Sequence, residues 1–170
     1  MKFLKFWPQV LVSMMLLFNG CTRDDICDPN EATTPFLIIT FKDNLNRDDA
    51  KEVVGLSVIG DYTPEAEILT EVTTDSIAIP LRTATNNTQY KLVRAATDTS
   101  AEIIDVFLAN YQTEDIYINR ACAYKTIFNN LAFSENVTDS DNDSASWILN
   151  YEINQTNVAD EIQSHITIYH

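Results

Sequence analysis

The chain has 170 residues, with 11 basic and 25 acidic side chains and a net charge of −14. A polyanion of this size is repelled by phosphate backbones, so nucleic-acid binding is set aside. The three glycines, Gly20, Gly55 and Gly60, have the wrong spacing for G-x-x-x-x-G-K-[ST], G-x-G-x-x-G or G-x-S-x-G, which removes phosphate-cradling loops and the serine-hydrolase elbow.

In chain order, the first signal is Lys2 and Lys5 ahead of the apolar run Val10–Phe18, followed by Asn19-Gly20-Cys21. A basic start, a short apolar stretch and small residues before a cleavage point predict a secretory signal over residues 1–20. Pro8, Gln9 and Ser13 interrupt the run, which falls short of the roughly 20 apolar residues a membrane span needs. Cys21 sits where a lipobox places the thiol that is acylated and becomes the new N-terminus. The other reading is an ordinary thiol past a standard cleavage site. Removing residues 1–20 takes away Lys2 and Lys5 and no acid, so −14 becomes −16. Such a charge repels anionic head groups, which leaves the acyl chains to hold the protein to a membrane.

Residues 21–34 read as a lipidated tether, polar and turn-rich with Asp24, Asp25, Asp28, Pro29, Asn30 and Glu31. Residues 35–170 read as a single domain built from strands. Phe36–Phe41 is almost wholly apolar, suited to a strand covered on both faces. Leu56 and Val58 flank Ser57 in a second strand. Ile77, Ile79 and Leu81 alternate around Ala78 and Pro80 in a third, which the donorless Pro80 makes an edge strand or ends. Tyr90–Arg94 is a fourth. Ile103–Tyr111 is strong, and Ile116–Phe128 continues it with a turn or bulge near Asn119-Arg120. Trp147, Leu149, Tyr151 and Ile153 alternate with Ser146, Ile148, Asn150 and Glu152, the cleanest period of two in the chain. Ile166 and Ile168, flanked by Thr167 and Tyr169, form the last. Helical periodicity is poor; Asp48–Val54 and Asn157–Gln163 have room for a turn or two each. Seven or eight short strands in about 150 residues predict an all-β fold, an antiparallel β-sandwich of the immunoglobulin-like or transthyretin-like kind. A small closed barrel is the alternative. With glycine so scarce, Asn and Asp are expected to serve the turns.

Few residues suggest chemistry. Asp139, Asp141 and Asp143 alternate with Ser140 and Asn142, and alternating carboxylates can surround a hard cation. Counted from Asp139, the EF-hand positions for Gly and Glu hold Ser144 and Asn150, so the run reads as a solvated hairpin loop and any Ca2+ site there as a weak one. The soft ligands are too few for zinc, and no cofactor is expected. His165 as a general base lacks an obvious nucleophile. No catalytic residue is singled out, although the acids leave room for a carboxylate pair. The seven tyrosines invite sugar or peptide binding, but tyrosine is also a favoured strand residue. If Cys21 is acylated, Cys27 and Cys122 remain, an even pair that reads as a disulfide in an oxidising compartment. The rival makes Cys122 a nucleophile, with His165 and His170 as the only bases on offer.

Two stretches carry a resemblance. Cys21, Asp24-Asp25-Ile26-Cys27 and Thr33–Phe41 form one; Tyr117-Ile118-Asn119-Arg120-Ala121-Cys122-Ala123-Tyr124-Lys125 forms the other. Together they resemble an uncharacterised domain-of-unknown-function family of small Bacteroidota lipoproteins. The family pattern has Gly after the second cysteine, where this chain has Ala123. The resemblance implies a Cys27–Cys122 pair and an envelope location. Thr22-Arg23-Asp24-Asp25 is similar to the Bacteroidota lipoprotein export signal, with Arg23 in place of the usual Lys. The expected protein is therefore an outer-membrane lipoprotein, on its periplasmic or cell-surface face. Its expected role is a non-catalytic interaction module for an envelope protein partner, such as an outer-membrane barrel. A secreted hydrolase or glycan-binding surface protein is the alternative.

Overall fold

The computed structural model describes residues 26–31, 33–95, 102–135 and 146–170. These fall into two compact units. One holds Thr33–Ile116 with Thr126–His170, and the other holds residues 26–31 with Tyr117–Lys125. Nine strands run in the order β1 (Leu37–Lys42), β2 (Val53–Gly60), β3 (Ala66–Thr74), β4 (Ser76–Ile79), β5 (Asn87–Arg94), β6 (Ile103–Asn119), β7 (Ala123–Glu135), β8 (Asn150–Ile153) and β9 (Ile166–Tyr169). No helix occurs among the described residues.

The strands form a four-stranded sheet, β4-β1-β9-β8, and a five-stranded sheet, β3-β2-β5-β6-β7. The fold is an all-β sandwich. β1 pairs antiparallel with β4, β2 with β3 and β5, β5 with β6, and β8 with β9, whereas β1 and β9 run parallel with Ile39 opposite Ile166. Period-two alternation sends one face of each sheet into a shared core. Leu37, Ile39 and Phe41 of β1 and Ile166 and Ile168 of β9 join Leu56 and Val58 of β2, Tyr90 and Leu92 of β5, Phe107 of β6 and Phe128 of β7, all with no exposure. Each such side chain contributes about 1.5–3 kcal/mol. The partly exposed ion pairs of Lys91 with Asp61 and Glu65 contribute at most about 1 kcal/mol each. Apolar burial therefore holds the sandwich together.

β1 departs from the expectation of cover on both faces: Ile38 and Thr40 are only half-buried. Hydroxyls line that side instead. Thr40 Oγ1 lies 3.2 Å from Thr167 Oγ1, and Asn154 Nδ2 donates to Thr167 at 2.8 Å. The connection from β4 to β5 crosses between the sheets and is pinned by two tyrosines. Tyr90 donates to the Pro80 carbonyl, and Tyr111 donates to the Arg82 carbonyl at 2.8 Å. Thr88 closes a ring by accepting from the Arg82 amide and meeting the Tyr111 oxygen at 2.6 Å.

All four sheet edges are blunted, which opposes pairing with another chain. β4 and β8 have four residues each, and β4 stops before Pro80. β3 is bulged against β2 and carries Glu67 and Glu71. Its irregular register, with the adjacent apolar Ile68 and Leu69 only half-buried, explains why no period of two announces it in the sequence. β7 is capped by the segment before β9: the amides of Phe128 and Val158 exchange bonds with each other's carbonyls at 3.1 and 2.8 Å.

That bridge also replaces the helical turn expected over Asn157–Gln163. Val158 is fully buried, and burial at the sheet edge outweighs weak local propensity. The other expected turn, Asp48–Val54, is a tight loop leading into β2, with Ala50 bridged to Lys42. Among the described residues, left-handed backbone falls mostly on residues other than Asn and Asp. Glu71 (φ 51°), Ala95 (φ 58°) and Ala123 (φ 58°) adopt it beside Asn130 (φ 56°). For L-residues with a Cβ this costs about 1–2 kcal/mol each.

Candidate functional site

The second unit is built around a covalent bond. Cys27 and Cys122 form a disulfide across 95 residues, with Cα atoms 4.8 Å apart. It ties residues 26–31 to the turn between β6 and β7. That turn, Arg120–Cys122, is held by Asn119, whose Oδ1 accepts from the amides of Ala121 and Cys122 at 2.9 and 2.8 Å. An Asn side chain in this role stands in for a backbone turn acceptor. Ala123 leaves the turn in the left-handed region, where glycine carries no Cβ penalty. On the other side of the bond, Asp28 Oδ1 accepts from the Asn30 amide and side chain, both at 2.9 Å.

Beside the disulfide the unit displays aromatic surface. Tyr117 and Tyr124 are 58% and 65% exposed, and Ile26 is 81% exposed. The two rings meet edge to face at 5.3 Å. The remaining tyrosines are otherwise occupied. Tyr90, Tyr111 and Tyr169 are buried, and Tyr62 and Tyr151 are half-buried. Burial raises the Tyr169 hydroxyl above its ordinary value, and the hydrogen bond to Glu152 adds to this.

Both histidines are structural. His165 is 1% exposed. Its Nδ1 accepts from the Ile38 amide at 3.0 Å, while its own amide donates to the Ile38 carbonyl at 2.9 Å. The ring thus stands in for a ladder partner where the parallel β1–β9 pairing begins, and its lone pair is not free to act as a base. Nε2 carries the proton and is buried without a partner. Burial lowers the His165 pKa, against the opposing charges of Asp160 and Glu161. The ring of His170 packs edge-on against Trp147 and Phe41, and its Nε2 lies 3.2 Å from the Lys51 carbonyl. Burial lowers its pKa too, helped by the charges of Lys51 and Arg94.

One buried acid stands out. Asp105 is 3% exposed, on the core-facing side of β6. Its Oδ2 accepts from Ser146 Oγ at 3.1 Å and from the amides of Trp147 and Ile148 at 2.9 and 2.8 Å. This clamp overturns the long strand expected over Ser146–Ile153. Amides donated to Asp105 are lost to the ladder, Trp147 and Ile148 are buried consecutively, Leu149 is 60% exposed, and β8 starts only at Asn150. A carboxylate between Ile103 and Phe107 on the apolar face of β6 was the available sequence signal for it.

The loop Leu45–Asp49 lines an open depression of about 490 Å³, and two charged side chains at this loop are engaged within the fold. Arg47 lies over the Tyr169 ring at 4.6 Å. Asp43 accepts from the amides of Leu45 and Asn46, which hold its carboxyl below the usual range. Among the described residues, no three His, Cys, Asp or Glu side chains gather to hold a metal. The expected acylation site Cys21, the export residues Arg23, Asp24 and Asp25, and the candidate cation ligands Asp139, Asp141 and Asp143 lie outside the described residues.

Fold and site together define a β-sandwich domain with a disulfide-closed hairpin and an exposed tyrosine pair. The chain belongs to a family of unknown function, DUF6452, whose model matches residues 55–170. The match includes Tyr117–Lys125 and begins after the first resembling stretch, Cys21–Phe41. No curated protein and no solved structure matches the chain.

Proposed function

We propose that this chain is a Bacteroidota outer-membrane lipoprotein, held by acyl chains on Cys21, whose sandwich is a non-catalytic module that binds an envelope protein. The observation that carries the reading is Cys21 itself, directly after a basic start, a short apolar run and Asn19-Gly20. The Cys27–Cys122 disulfide supports an oxidising compartment. The commitment of His165, His170 and Asp105 to structural bonds favours binding over catalysis. Blunted edges direct binding to side-chain surface rather than to strand addition.

Palmitate labelling and fractionation of the Cys21→Ser protein test the anchor. The label should vanish and the protein should move to the soluble fraction; unchanged membrane retention would refute the anchor. Crosslinking followed by recovery from solubilised outer membrane tests the partner. One envelope protein should be enriched with the wild type, and an empty recovery refutes the module.

A further inference from the structure

We infer that the hairpin tip bearing Tyr117 and Tyr124 docks into the head-group layer of the membrane that holds the protein. The inference rests on the proposed acylation of Cys21. Six peptide units separate Cys21 from Cys27, so Cys27 lies within about 22 Å of the anchored residue even when the chain is fully stretched. The disulfide brings Cys122 to 4.8 Å from Cys27 at Cα. The tip is thereby leashed to the bilayer surface through a short span of chain rather than through the sandwich.

Its chemistry suits that location. Tyrosine has an apolar ring and a polar end, and it is enriched where hydrocarbon meets water. Contact between the two rings accounts for their pairing, but it leaves both more than half exposed. Ile26, next to Cys27, adds a third exposed apolar side chain.

Charge is divided at this end of the chain, since Arg23 is followed by Asp24 and Asp25 in the span from Cys21 to Cys27. Residues 117–125 contain Arg120 and Lys125 and no acid. Basic side chains near an anionic surface are drawn to it. Of the unit's two described acids, Asp28 and Glu31, the first has its Oδ1 engaged by Asn30. The chain as a whole is strongly acidic and is pushed away from the same surface. An interfacial tyrosine pair flanked by two cations is therefore the part of this protein best suited to touch lipid.

The test uses the full lipidated protein in vesicles of phosphatidylethanolamine and phosphatidylglycerol, doped with a brominated phosphatidylcholine that quenches indole fluorescence. Tyr124→Trp reports on the tip, and Leu45→Trp, at a position 89% exposed, is the reference. The N-terminal peptide of each preparation is first weighed for acyl groups on Cys21. With acylation present, quenching of the Tyr124→Trp protein should exceed that of the reference at least threefold, with emission shifted to the blue. Adding Cys27→Ser and Cys122→Ser should bring it down towards the reference. An acylated protein with equal quenching at both positions overturns the inference alone and leaves the tip for a protein surface. A bare Cys21 thiol overturns the anchoring reading, and this inference with it.

Discussion

The two halves of β6 differ in what holds them. From Ile103 to Tyr111 the strand alternates into the core, with Asp105, Phe107, Ala109 and Tyr111 buried. From Gln112 to Asn119 no residue is buried. The first half is held by its neighbours β5 and β7, by apolar burial and by the bonds Asp105 accepts from the Trp147 and Ile148 amides. The second leads to a turn that lacks a core of its own and is held by a disulfide and one Asn side chain. A unit too small to bury enough surface must be stapled, and here the staple stands where the aromatic surface is displayed.

The largest expected effect breaks the packed half. Asp105→Ala leaves the buried amides of Trp147 and Ile148 without their acceptor, while the Ser146 hydroxyl keeps the Ile148 carbonyl, so unfolding free energy should fall by about 2–5 kcal/mol in urea titration. A loss below about 1 kcal/mol would mean that the clamp is dispensable. Replacing Cys27 and Cys122 by Ser tests the other half. The loop-entropy model sets a ceiling of about 4–5 kcal/mol for a closure of this length, and fraying of the stapled unit in the folded state reduces it, so a loss of about 3 kcal/mol is expected. Hydrogen exchange should quicken over residues 117–125 while β2 and β5 keep their protection. Equal loss of protection in β2 and β5 would show one cooperative body instead.

A third, smaller effect comes from pH. His165 and His170 have pKa values lowered from 6.5 by burial. The unfolded chain therefore binds more protons below that value. Their contribution to stability is complete above about pH 6.5 and is lost as the pH falls towards their folded values. The slope is at most about 1.4 kcal/mol per pH unit for each histidine. Denaturation midpoints measured from pH 7.5 to 5.5 should fall, and His165→Gln should flatten the curve. The smallest effect sharpens the tip: Ala123→Gly relieves a left-handed residue and should stabilise by about 0.5–1 kcal/mol. A loss of stability on this change would rule out relief of strain there.

Much of the fold was legible because alternation is a local property. Phe36–Phe41, Ile103–Tyr111 and Ile166–Tyr169 were each read as strands and hold β1, the start of β6 and β9, and Pro80 marks the end of β4. β3 was not legible, since its bulges break the period at Glu71. The stretch over Ser146–Leu149 misled, since its backbone is taken by a carboxylate more than 40 residues away. The candidate site was half legible. The Cys27–Cys122 pair was expected from the sequence with Cys122 as a nucleophile for its rival, and the disulfide decides between them, but which two of seven tyrosines face solvent depends on packing.

Sequence alone determined that this is an all-strand domain, because side-chain parity is a property of the chain itself, and it offered Cys27 and Cys122 as a candidate pair. Tertiary structure decided the parallel β1–β9 pairing, the structural roles of His165 and Asp105, and the exposure of Tyr117 and Tyr124. Each of these depends on partners distant in sequence, which only the packed fold supplies.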